Sequence, residues 1–185
     1  GKYLLYVEYD GKNYTLLLNS GKKAKEILSS KRRIAALGIR DDGKRMYYAV
    51  KDANGEDLPG DYTLYHYDGE TFEELGGFSY GNQILLNRDL SQILFENDKN
   101  VWFSENGQEP VKLRMGGSSL LLLTPYLTGV QYGDSTLEPD LYDVKDLRNT
   151  FVLSDDTLYL FTGEEFKAIS RKVLDAQVLD DEKTL

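Results

Sequence analysis

His66 is the only histidine of a 185-residue chain that contains no cysteine. Any Ser–His–acid triad or multi-histidine zinc site would have to include it. It stands in Leu64-Tyr65-His66-Tyr67, an aromatic-rich run that reads as the middle of a β-strand. A histidine among strand tyrosines reads as a packing residue with one hydrogen bond, and the reading is that the chain is not an enzyme and carries no catalytic residue.

Paired carboxylates are the next candidates: Asp41-Asp42, Asp155-Asp156 and Asp180-Asp181. A glycosidase needs two acids facing each other across a cleft, one with a raised pKa. Adjacent acids in short polar segments point apart and form turns instead, because their carboxylates bond nearby backbone N–H groups. The segment from Gly116 to Lys145 is different. It is longer than the other connections and carries Tyr126, Tyr132, Asp134, Glu138, Asp140 and Tyr142. Tyrosines mixed with acids suit a sugar or a basic peptide, and long insertions are where rigid scaffolds place binding groups. These six residues are the candidate ligand-binding set. The alternative is a longer connection that shields a sheet edge. Their oxygens could hold calcium, but the spacing matches no EF-hand loop, so no metal or other cofactor is expected.

Composition narrows the partners. Thirty-one acidic against 22 basic residues give a net charge of −9. That disfavours nucleic acid and anionic membrane surfaces, both of which need a basic face. Lys31-Arg32-Arg33 reads as a solvated edge. No apolar run approaches the ~20 residues of a membrane span. Lack of cysteine fits export, where unpaired thiols mispair. The abrupt start in a strand-like sequence suggests a segment of a longer protein.

The elements that must position these groups recur. Gly21, Gly69, Gly107 and Gly163 each have Leu16, Leu64, Trp102 or Leu158 five residues before them, and Ile27, Leu75, Leu113 or Ile169 six beyond. A polar turn precedes the last three units, at Arg40–Lys44, Arg88–Ser91 and Lys145–Asn149. The spacing brackets the roughly 40–50 residues of a four-stranded propeller blade. Apolar residues occupy both faces of the third strands, as in Leu158-Tyr159-Leu160-Phe161. A sheet covered on both sides requires that. The expected architecture is therefore all-β and β-propeller-like. It has about four blades of four antiparallel strands, as a closed ring or as part of a larger one. Residues 1–185 form a single domain with units near 1–28, 34–76, 82–115 and 139–170, and 171–185 supply an extra first strand. That strand completes the first blade, or two chains combine as a homodimer with a larger ring. Ala24–Leu37 alone would pass for a helix capped by Gly38, but the repeats make it strand, loop and strand. Gly76-Gly77 and Gly116-Gly117 read as turn glycines.

The turns Asp41-Asp42-Gly43-Lys44-Arg45-Met46-Tyr47-Tyr48 and Arg88-Asp89-Leu90-Ser91-Gln92-Ile93-Leu94-Phe95 resemble the Ser-Pro-Asp-Gly-Lys-hydrophobic signature of TolB-like propeller repeats, without its Ser-Pro and without the Trp-Asp ending of WD-type blades. The resemblance implies a non-enzymatic binding scaffold with a protein or glycan partner, on an extracellular or cell-envelope bacterial protein. The alternative it implies is an accessory or carbohydrate-binding propeller of a hydrolase.

Overall fold

The computed structural model describes residues 3–52, 61–79, 83–97, 100–113, 121–122, 140–142, 145–174 and 176. Among these the chain is all-β, with sixteen strands and no helix. The first sheet is β1 (Leu4–Tyr9), β2 (Tyr14–Asn19) and β3 (Ala24–Ser30) in that order. The second is β4 (Ile34–Ile39), β5 (Met46–Lys51), β6 (Asp61–Tyr67) and β7 (Phe72–Ser79). The third contains β8 (Ile84–Asn87), β9 (Gln92–Asn97), β10 (Asn100–Glu105) and β11 (Val111–Leu113), and the fourth contains β12 (Leu121–Leu122), β14 (Thr150–Ser154), β15 (Thr157–Phe161) and β16 (Phe166–Arg171). β13 (Asp140–Tyr142), which the sequence places with the fourth unit, joins the third sheet beside β8. Among the described residues it is the one parallel pairing in sheets that are otherwise antiparallel.

The helical reading of Ala24–Leu37 loses to β3 and β4 because packing outweighs propensity. Ile34 and Leu37 are buried on opposite faces of β4, in two different cores. All six residues of β5 are buried, as a strand covered on both faces must be. Gly76 and Gly77 do not turn the chain. They lie inside β7, next to a bulge at which Leu75 is the extra residue and where Gly76 takes φ +126°. Similar bulges insert Ile27 on β3 and Ile169 on β16. Gly21, Gly69, Gly107 and Gly163 all have positive φ, a conformation that costs other residues energy.

Hydrogen-bonded and non-bonded pairs alternate along an antiparallel ladder, so one end pair sets the phase of all the others. Asp10 N–H donates to Asn13 O, Asp52 N–H to Asp61 O and Asn106 N–H to Ser91 O. By that phase the pair Leu94/Phe103 of the third sheet matches Ala49/Leu64 of the second and Val7/Leu16 of the first. Counting back from Gly107 puts Trp102 there instead, one residue out of step. The physical cause is the connection after β10: Phe103 pairs with Val111 across 104–110, whereas Tyr67 pairs with Phe72 across 68–71. In the fourth sheet, Asp155 and Asp156 form a two-residue hairpin with φ of 42° and 57° and restore the phase of the first two.

With the phase assigned, the packing has one sense. The face of the first sheet that carries Val7 and Leu16 packs on Tyr48, Val50 and Tyr65 of the second. The face that carries Ala49 and Leu64 packs on Ile84, Ile93, Phe95 and Trp102 of the third. The face that carries Leu94 and Phe103 packs on Val152, Tyr159 and Phe161 of the fourth. Each sheet thus offers a forward face to the rear face of its successor. Burial of these side chains, at roughly 1.5–3 kcal/mol each, supplies most of the attraction across the three seams.

Candidate functional site

The third seam carries the densest polar cluster among the described residues, and it begins with two buried amides. Asn87 ends β8 and Gln92 starts β9, on either side of a turn in which Leu90 has φ 54°. Asn87 Oδ1 accepts from the Gln92 N–H (2.9 Å), and Asn87 Nδ2 donates to Ser91 Oγ (2.9 Å) and to the Lys145 carbonyl (2.6 Å). Gln92 Oε1 accepts from the Leu147 N–H (2.6 Å), and its Nε2 donates to Asp146 Oδ1 (2.8 Å) and Glu105 Oε1 (3.1 Å). Both amides are satisfied, so their burial costs little. They hold residues 145–147, at the end of the long insertion, against the third sheet.

Arg148 completes the cluster. Its guanidinium forks onto Glu105, Nη1 to Oε1 at 3.0 Å and Nη2 to Oε2 at 2.6 Å, and lies 5.4 Å over the Phe103 ring. The hydrogen bonds from Arg148 and Gln92 hold the Glu105 carboxyl below its ordinary pKa, and Glu105 raises that of Arg148. Each carboxylate here is engaged with a cation or an amide. The arrangement positions chain segments and leaves no acid poised to donate a proton.

Of the six residues singled out for binding, Tyr126, Tyr132, Asp134 and Glu138 lie outside the described residues. Asp140 and Tyr142 belong to β13, opposite Leu85 and Asn87. Tyr142 therefore pairs with the residue whose side-chain amide holds Lys145, and the insertion is tied to β8 twice within a few residues. Sequence reading missed Asn87, Gln92, Glu105 and Arg148. A weak signal existed: two amides flanking a short polar turn next to strands that are otherwise apolar.

The carboxylates in turns behave as turn formers. Asp42 accepts from the Lys44 N–H at 2.9 Å and pairs with Arg40 at 3.0 Å. Asp10 and Asp68 each cap two following N–H groups, and these bonds lower both pKa values. Asp180-Asp181 lies outside the described residues. Among the described residues no three His, Cys, Asp or Glu side chains gather as metal ligands.

His66 is 1% exposed, 4.9 Å from the Tyr47 ring, and in the second seam. One hydrogen bond was expected of it. Neither of its nitrogens has a hydrogen-bond partner, and neither does the Tyr47 hydroxyl. A Cβ on Gly107 of the third sheet would collide with the imidazole. Burial, helped by Arg45, pushes the His66 pKa down to about 4, and burial raises that of Tyr47. Neither ring nitrogen of this imidazole is hydrogen-bonded to a group with which it would exchange a proton.

The absence of a Gly-x-Ser-x-Gly motif, expected of a chain without a nucleophile, does not hold: Gly77-Phe78-Ser79-Tyr80-Gly81 fits that pattern of a hydrolase nucleophile turn. Its context is wrong for that role. Ser79 is the last residue of β7 and pairs with Asp61, whereas His66 pairs with Glu73 at the other end of the same hairpin. At ~3.3 Å per residue the two are about 16 Å apart along the sheet, far beyond hydrogen-bond reach.

No protein-family model, curated protein or solved structure matches this chain. Its function must be argued from its own geometry.

Proposed function

We propose that this chain is a non-catalytic binding module. In this reading its sheets are successive blades of a β-propeller-like assembly of the TolB-like kind, and the insertion between β12 and β13 meets a protein or glycan partner. The observation that carries the reading is the double attachment of the insertion's end, through β13 on β8 and through Asn87 and Gln92 on residues 145–147. A long connection anchored by fully satisfied buried amides is a rigid base for a contact surface. The common forward-to-rear sense of the three seams supports the blade reading. The reading places the chain on an exported or cell-envelope protein, a placement with which the lack of cysteine is consistent.

Tyr126, Tyr132 and Tyr142 would supply flat apolar faces, and Asp134, Glu138 and Asp140 would supply acceptors. Such a surface suits a pyranose ring with its hydroxyls, or a lysine- and arginine-bearing peptide. The test is binding of the purified chain to glycan and basic-peptide arrays, beside a Tyr132→Ala/Asp134→Ala variant. Signals that the variant loses support the reading. Signals retained in full by the variant, or hydrolytic turnover by the wild type, would sink it.

A further inference from the structure

We infer that two copies of this chain associate through the forward face of the fourth sheet of each and the rear face of the first sheet of the other. The inference rests on the reading of the sheets as blades, and it starts from what the three seams leave over. Every seam joins a forward face to a rear face. Among the described residues one forward face, that of the fourth sheet, and one rear face, that of the first, therefore remain.

By ladder phase the forward face of the fourth sheet carries Phe151, Leu153, Leu158 and Leu160. None of them joins a buried core among the described residues, although the corresponding Ala49, Leu64 and Leu94 are fully buried. Phe151 is 38% exposed and the neighbouring bulge residue Ile169 is 51% exposed. The rear face of the first sheet carries Leu4, Tyr6 and Leu17. Leu4 is 59% exposed, whereas Met46 at the same place in the second sheet is fully buried. Among the described residues both apolar faces are only partly covered, and such faces call for a partner. The partner that fits a forward face, by the rule of the other seams, is a rear face of the same construction.

Charge favours the same match. Glu8 and Glu26 lie on the rear face of the first sheet, and Lys167 lies on the forward face of the fourth. Pairing the unlike faces matches Lys167 of one copy with the acids Glu8 and Glu26 of the other, which pairing of like faces does not. Two copies related by a two-fold axis would form two such seams at once and leave neither face open.

The test exploits the lack of cysteine. Leu4→Cys/Phe151→Cys is oxidised and run on a non-reducing gel, and the wild type is weighed by light scattering. The expected results are twice the chain mass of 21.1 kDa, a disulfide between copies, and a monomer of unchanged circular dichroism for Leu158→Glu. Lys167→Glu should weaken the pair, and adding Glu26→Lys should restore it. A disulfide within one copy at monomer mass would overturn the dimer and leave the blade reading standing, because the row would then close on itself. Monomer mass with no disulfide of either kind overturns the dimer. Open-ended oligomers overturn the closed pair.

Discussion

The second and third seams fill one slot in opposite ways. The pair Tyr47/His66 in the second sheet and the pair Gln92/Glu105 in the third occupy the same place in the ladder phase, one step from its end. In the second seam the slot holds an imidazole with no hydrogen-bond partner, pressed toward Gly107. In the third it holds a carboxylate that Arg148 and Gln92 bind, with both ion-pair side chains 32% exposed. The first and fourth sheets have Leu18 and Leu160 there. One architecture thus tolerates a leucine, a neutral histidine or an ion pair in one slot. What changes is the condition under which the seam fails: desolvation governs the second seam and charge governs the third.

The largest effect is expected from Gly107→Ala. The new methyl meets a buried ring that cannot move aside, at φ +74°. The cost should be about 3 kcal/mol in urea denaturation, from overpacking and backbone strain together. Gly163 has φ +95°, but its Cβ would meet the Arg148 side chain, which is flexible and partly exposed. Gly163→Ala should therefore cost less, about 1–2 kcal/mol. Equal costs would erase the contrast between the two seams.

His66 should make the second seam sensitive to mild acid. Its folded pKa of about 4 lies below the ordinary 6.5. The unfolded chain therefore binds the proton more readily, and stability falls as pH drops from 6.5 toward 4. The loss across that window is on the order of 2–3 kcal/mol. Thermal melts at pH 7, 5.5 and 4.5 should show it, and His66→Leu, the residue type found at positions 18 and 160, should flatten the curve. A His66→Leu curve that parallels the wild type would remove the histidine from the explanation.

Glu105 also has a lowered pKa, so its contribution is present above the ordinary carboxylate range and is lost only as pH falls below about 4.5. Acid should therefore reach the second seam first. Arg148→Met should cost about 1 kcal/mol, because the pair is partly exposed, and 1 M salt should shrink the difference from wild type. A salt-independent loss would mean that Arg148 acts through its packing on Phe103.

The strands and turns were mostly legible in the sequence. The polar turn expected at Arg88–Ser91 lies between β8 and β9, because apolar runs and polar turns are local signals. The candidate site was legible only as a region. Tyr142 could be named, but nothing near it in sequence says that it pairs with Asn87, 55 positions earlier. The amide cluster was invisible for the same reason, since Gln92 meets Leu147 only once two sheets have packed.

By itself, the sequence determined that the chain is all-β and where its polar turns fall. These follow from side-chain size, backbone freedom and the two-residue period, all of which act within a few residues. Only the tertiary structure decided which face meets which neighbour. The longer connection after β10 shifts the third ladder by one residue, and in a strand one residue exchanges the faces. That shift puts Glu105, not Ser104, in the slot of His66. It also sends the insertion's last strand to β8, where a long-range backbone ladder outweighs any local preference.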